Sequence, residues 1–278
     1  MTKRSKLTQK IVARSIVAFT AVFLYFPLLV LIIFSFTPSR AMGVWDGFSF
    51  SLYADLFSNT MAMEAVQTTF LVALTSSLIA VILGTFTAIG MFHLKRTPRS
   101  VLNAGTQITV INAEVVTGIA FAILFTQIGG LFDTFIMGYG TLIIAHVMFT
   151  TPFVILAVMP RLYRLNPNLY EAGQDLGAAP LRTMFTVVMP QLIPGMISGF
   201  ALAFTISLDD FVVSSFTSGH LNTISTWLYN YRHGIPAESR ALSALIFGLA
   251  FVALIVLYVK NKRAQKTFKT NIAEQNPA

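Results

Sequence analysis

The chain has 278 residues, 55% of them hydrophobic and only 11% charged, with a mean hydropathy of +0.72. That balance excludes a soluble globular domain and leaves an all-α integral membrane protein built as one domain. The formal net charge is +8, and the absence of cysteine excludes disulfides, thiolate nucleophiles and cysteine metal sites together.

A helix needs about 20 apolar residues to cross a hydrocarbon core about 30 Å thick. The first such run, Ser15 to Phe36, follows a basic start. It is longer than the apolar core of a signal peptide, about 7–15 residues, and no A-x-A-like cleavage site follows it. It is therefore expected as a helix, bent at Pro27. The next segment carries Trp45, Phe48, Tyr53, Leu56 and Phe57, which predicts a short interfacial helix with aromatic anchors. Such a helix serves equally as a lid on the bundle or as a docking surface for an outside partner. Phe70 to Met91 predicts the second span, and Thr106 to Ile128 a further one interrupted by Asn112 and Glu114. Thr141 to Met159, Ile193 to Phe216 and Ala241 to Val259 bring the expected number to six. The boundaries are then a tail over 1–14, a transmembrane domain over 15–259 and a second tail over 260–278. Beyond Lys269 the second tail is polar and expected to fray.

The distribution of basic residues tests that topology. With both termini in the cytoplasm, Lys3, Arg4, Lys6, Lys10, Arg14, Lys95, Arg96, Arg99, Arg161, Arg164, Arg182, Lys260, Lys262, Arg263, Lys266 and Lys269 fall inside. Only Arg40, Arg232 and Arg240, of 19 Lys and Arg, fall outside. This split is what an even number of spans requires. The positive charge therefore marks topology and contact with membrane lipid. It does not mark nucleic-acid binding, because no basic patch interleaved with aromatics accompanies it. His93, His146, His220 and His233 are scattered without metal-ligand spacing. No phosphate-binding loop of the G-x-x-x-x-G-K-[ST] kind is present, so the chain is not expected to bind a cofactor or to hydrolyse ATP by itself.

Between the fourth and fifth expected spans lies a polar island over 160–190. Asn166 and Pro167 provide a helix start, and Leu169, Ala172, Gly173 and Leu176 recur at i, i+3, i+4 and i+7. Gly177 ends this short helix and Pro180 opens a second, whose apolar stripe is Leu181, Met184, Phe185 and Val188. A helix, glycine, helix knuckle on the basic side of a membrane protein is a handle for something in the cytoplasm.

Ionisable groups at membrane depth are functional candidates, since a carboxylate at a helix centre costs about 2.5–3.5 kcal/mol on insertion scales. Glu114, His146, Asp209 and Asp210 qualify. Asp209 and Asp210 come late in an outward-running span, about 10 Å below its outer end at 1.5 Å per residue. Adjacent helical residues point about 100° apart, so the two acids face different directions. Glu114, Asp209 and Asp210 either line a path suited to a cationic solute, or they cap broken helices or pair with Arg232 or Arg240. His146 is the more natural packing residue.

Two stretches carry a family resemblance. Glu171, Ala172, three residues, Gly177, nine residues, then Val187, Val188, Met189 and Pro190 resemble the E-A-A, three residues, G, nine residues, I, one residue, L-P pattern of bacterial ABC importer permeases. Gly173, Val187 and Met189 depart from it. The segment SLDDFVVSSFTSG, Ser207 to Gly219, resembles one of the two permease classes of spermidine/putrescine (polyamine) importers. Trp45 through Asn59, Ala145 to Val154 and Ala237 to Leu245 are weaker matches, while Ala113 with Glu114 and the run Asn222 to Ser225 depart from that class. The resemblance implies a type I importer (MetI-like) permease fold and a multi-pass protein of the bacterial inner membrane that is not an enzyme. It also implies a coupling element formed by Glu171, Ala172, Gly173, Gly177 and Pro190. ATP would be bound by separate ABC ATPase subunits. A second permease subunit, in a heterodimer, and an extracytoplasmic solute-binding protein complete the implied complex. Importers of other small solutes share the pattern. A secondary transporter or channel explains the acids but not the knuckle, and a membrane scaffold explains the knuckle but not the acids.

Overall fold

A computed structural model describes residues 3–41, 43–111, 114–131, 137–166, 168–230 and 236–275, and every regular element among them is helical. The chain divides into two units. One contains α1 (Lys3–Phe34), α2 (Ser51–Ser58) and α12 (Glu238–Gln275). The other contains α3 (Thr60–His93), α4 (Arg96–Ile111), α5 (Glu114–Leu131), α6 (Tyr139–Leu162), α7 (Asn168–Asp175), α8 (Pro180–Thr183), α9 (Met189–Asp209), α10 (Val212–Thr217) and α11 (Ile224–Asn230). A π-helical turn, Met184–Val188, joins α8 to α9.

Four stretches of the described residues are long and apolar enough to cross a membrane: Val12–Phe34, Thr60–His93, Tyr139–Leu162 and Pro180–Asp209. The expected span over Thr106 to Ile128 is instead two helices, α4 and α5, which qualify only as a pair and whose axes lie 102° apart. Of the two residues that interrupt that run, Glu114 begins α5, while Asn112 lies outside the described residues, as do Ala113, Pro167 and Arg232. The sixth apolar run, Ala241 to Val259, is contained in α12. Helix α12 continues past Lys269 to Gln275, because nothing in that stretch breaks a helix until Pro277.

In the smaller unit, α2 buries Leu52 and Leu56 and leaves Phe57 exposed. The preceding aromatics gather around Phe36, whose ring stacks on Phe48 with centroids 5.4 Å apart and meets Phe50 edge-on at 5.6 Å. Arg40 and Asp55 form a surface ion pair at 3.4 Å. Arg240, which the charge pattern offered as a partner for the acids, donates instead to the Ser39 carbonyl at 2.5 Å and to the Ala237 carbonyl at 3.3 Å.

In the larger unit the core runs between α3, α6 and α9, where Ala80, Val154, Val158, Leu192 and Ala203 have no exposed surface. Its closeness follows from small residues four apart on α9. A Cβ placed on Gly195 would stand 2.9 Å from Arg161 Cγ, and one on Gly199 would stand 3.1 Å from Val154 Cγ1. Small residues at this spacing let two membrane helices approach backbone to backbone, which compensates for the weak hydrophobic drive between helices in lipid. The opposite faces of these helices expose Leu78, Ile82, Ile144, Ile197 and Leu202, as lipid- or partner-facing surfaces do.

Candidate functional site

Two places in the larger unit carry the polar residues singled out by the sequence. The first is the knuckle. Asn166 Oδ1 accepts the N–H of Asn168 at 3.1 Å and opens α7. The chain reverses at Gly177, whose φ is +83°, a conformation that other L-residues adopt at a cost. The N–H of Gly177 donates to Gln174 at 2.8 Å and that of Ala178 to Gly173 at 3.2 Å, so the last carbonyls of α7 are satisfied as the helix closes. Ala179 is extended and Pro180 stands at the start of α8, where its missing amide costs nothing.

Only part of each apolar stripe of this hairpin is buried within the chain. Gly173, Thr183 and Val188 are buried and Leu169, Tyr170 and Met184 half-buried, whereas Ala172, Leu176, Leu181 and Phe185 face outward with Glu171. Leu176 is 89% and Leu181 75% exposed. The reason is the contact across the turn. Gly173 packs so tightly on Thr183 that an added Cβ would lie 2.5 Å from Thr183 Cγ2, and this contact sets the roll of both helices. Gly173 stands where the family pattern has alanine, and Thr183 explains why. Gly173→Ala is expected to destabilise the hairpin by about 1–3 kcal/mol, the range for overpacking, and Thr183→Ser, which removes only Cγ2, is expected to restore it. Thermal melting of the two single variants and the double variant measures the coupling; additive effects would exclude this contact as the cause.

Below the hairpin a 270 Å³ cavity is lined by Ile89, Phe92, His93, Tyr170, Glu171 and Met184, among others. The hairpin is thus carried on the ends of α3 and α6. Its second arm runs without interruption through the π turn and Pro190 into α9.

The second place is the end of α9. The expected continuous helix from Ile193 to Phe216 stops at Asp209. Asp210 is extended, with φ −64° and ψ 128°, before α10 begins. Its carboxylate caps the helix that follows the break. Oδ1 accepts the N–H of Val213 at 3.2 Å and Oδ2 that of Ser214 at 2.7 Å, satisfying amides that a new helix leaves without partners. Asp210 is 7% exposed and its Oδ2 also lies 3.5 Å from His146 Nε2. His146, 1% exposed, holds Ser207 Oγ at 2.7 Å through Nδ1 and Ser214 Oγ at 3.1 Å through Nε2. Ser207 Oγ in turn lies 3.1 Å from Ser76 Oγ. One buried polar network therefore ties α3, α6, α9 and α10 together at the break. Asp209, one residue earlier, is exposed, and so is Glu114 at the start of α5. The three acids thus separate by environment: Asp210 is a buried cap, and Glu114 and Asp209 are accessible. Ser76, Ser207 and Ser214 were not singled out from the sequence. Capping of a broken helix was one of the readings left open for the acids, and aspartate is a preferred capping residue.

The sequence profile of the family described as "Binding-protein-dependent transport system inner membrane component" matches residues 80–260, which is more than half of the chain. The chain belongs to this family. It is therefore a multi-pass inner-membrane permease component. It is 35% identical over 252 residues to the putrescine transport system permease protein PotI of Escherichia coli (strain K12), covering 88% of each chain. It is 30% identical to the spermidine/putrescine transport system permease protein PotC of Haemophilus influenzae, covering 84% of this chain and 90% of that one. Among solved structures, it resembles a chain of a bacterial ABC transporter that imports the acidic polysaccharide alginate. The TM-score is 0.71 at 13% identity, over 94% of this chain and 98% of that one. A chain of the inward-facing methionine ABC transporter MetNI matches with a TM-score of 0.57 at 16% identity, over 73% of this permease and 95% of that chain. The fold is that of the ABC importer permeases, as the resemblance in the sequence implied.

Proposed function

We propose that this permease forms half of a translocation path for a polyamine, driven by ATP hydrolysis in separate subunits. The observation that carries the reading is the accessible Asp209 carboxylate at the free end of α9, one residue before a break that buried hydrogen bonds hold rigid. Glu114, also accessible, supplies a second carboxylate to the same path. Relatives whose names specify putrescine and spermidine support a polycation as the solute.

The hairpin is the coupling element in this reading. Glu171, Ala172, Gly173, Gly177 and Pro190 shape it, and the exposed Leu176, Leu181 and Phe185 give an ATPase subunit an apolar surface to grip. ATP is bound by that partner. A second, different permease completes the path, and an extracytoplasmic binding protein delivers the solute. Closure of the ATPase pair pushes the hairpin, and the uninterrupted arm from Pro180 to Asp209 carries the push to the acids. Only a solute that binds the two states of the path with different affinity is moved by such a cycle.

Two unit charges about 4 Å apart interact by roughly 4 kcal/mol at an effective dielectric of 20. Asp209→Asn and Glu114→Gln, which remove charge at nearly constant volume, are each expected to slow uptake of labelled spermidine and putrescine by about tenfold or more. Complex assembly and basal ATPase activity should stay near wild type. Normal uptake of both solutes in both variants would reject the charged path, and normal uptake of an uncharged solute with none of either polyamine would reject the polyamine.

A further inference from the structure

At the start of α4, Arg96, Arg99, Ser100 and Asn103 line a pocket of 460 Å³ together with Tyr163 from beyond the end of α6. The four α4 residues recur at i, i+3, i+4 and i+7 and so share one face of the helix. Neither arginine has a carboxylate partner among the described residues, and no acidic residue lines the pocket. Arg99 is already oriented. Its guanidinium carbon lies 4.5 Å from the centre of the Tyr163 ring and 5.1 Å from that of Phe92. Stacking of this kind fixes the plane of the guanidinium without using up its N–H donors. One of those donors, Arg99 Nη2, is enclosed and has no hydrogen-bond partner among the described residues.

The surroundings name the occupant. Helix α4 has no buried residue, and its apolar side chains Val101, Leu102 and Ile108 are 66%, 47% and 68% exposed. They lie on other sides of the helix from the pocket. A helix with exposed apolar flanks and a basic, polar face rests at the boundary between headgroups and acyl chains. Lys95, Arg96 and Arg99 also belong to the basic clusters that mark the inner leaflet side, where anionic lipids collect. We propose that this pocket is a phosphate-binding site, and that the phosphate is that of an anionic lipid headgroup. The two arginines grip its oxygens, and Ser100, Asn103 and the Tyr163 hydroxyl complete the polar lining.

The test uses the full chain assembled with its partner subunits, in nanodiscs of phosphatidylcholine with and without phosphatidylglycerol. Native mass spectrometry then counts the lipid retained after transfer to detergent. Wild type is expected to keep phosphatidylglycerol in preference to phosphatidylcholine. The double variant Arg96→Gln, Arg99→Gln should lose that preference by about tenfold or more, as expected when two charge-assisted contacts to one phosphate are removed. Asn103→Leu, which leaves every charge in place, should weaken it less. Lys95→Gln, which removes a neighbouring charge that does not line the pocket, should leave it unchanged. Equal retention in wild type and the double variant, or an equal loss in Lys95→Gln, would overturn the site. Full displacement of the lipid by inorganic phosphate in detergent would overturn the lipid as its source and assign the pocket to the free anion.

Discussion

Glu171→Lys and Gly177→Val are expected to leave the permease inserted in the membrane and to abolish ATP-driven uptake. Glu171 is exposed on the first turn of α7, so reversing its charge costs the fold little beyond an unfavourable helix-dipole contact, about 0.3–1 kcal/mol. Its effect falls on whatever grips the hairpin. Gly177 acts differently. A Cβ there meets nothing within 4 Å, so the whole penalty lies in the backbone at φ +83°. It amounts to about 1–2 kcal/mol for an L-residue in the left-handed region, and more for a β-branched one. The hairpin escapes that strain by opening, which separates Gly173 from Thr183 and turns Leu176 and Leu181 out of register. Asn tolerates the left-handed region far better than Val, so Gly177→Asn should keep most of the uptake. Co-purification with the ATPase subunits and labelled-polyamine uptake, measured on the same membranes, decide the matter. Wild-type values of both in Glu171→Lys and Gly177→Val would remove the hairpin from coupling.

The second large effect is expected at Asp210, and of a different kind from that at Asp209. Asp210→Ala leaves the buried amides of Val213 and Ser214 without their acceptor. Each unsatisfied buried donor costs about 1–3 kcal/mol, so the loss is several kcal/mol and the protein should assemble poorly. Asp210→Asn keeps one acceptor and turns an amide group toward the other N–H, giving an intermediate loss. Asp210→Ser, a good cap with a shorter reach, should recover part of it. Asp209→Asn should change uptake without changing the melting temperature. The contrast distinguishes a cap from a path residue. Equal melting temperatures for Asp210→Ala and wild type would show that the break does not depend on this carboxylate. His146→Ala should follow Asp210→Ala in direction, because the serines it holds on α9 and α10 then lose their common partner.

Much of this protein is legible in the chain itself. The apolar runs, the basic loops and the polar island follow from composition and spacing, because a bilayer admits few ways to satisfy a backbone. Gly177 and Pro180 announce the hairpin because each has a backbone preference that holds wherever it occurs. What tertiary structure decided is the roll of each helix and the use of each acid. Periodicity placed Ala172 and Leu176 with Leu169 and Gly173 on one apolar or small face of α7. The contact of Gly173 with Thr183, residues from different helices, turned Ala172 and Leu176 outward. The acids at 209 and 210 are identical in type and adjacent in sequence. One is exposed and the other buried: Asp209 is the last residue of α9, whereas the extended Asp210 turns its carboxylate onto the amides of Val213 and Ser214, beside His146 from another helix. Local pattern fixes which residues can bury or bond; which of them do so depends on neighbours brought together from distant parts of the chain.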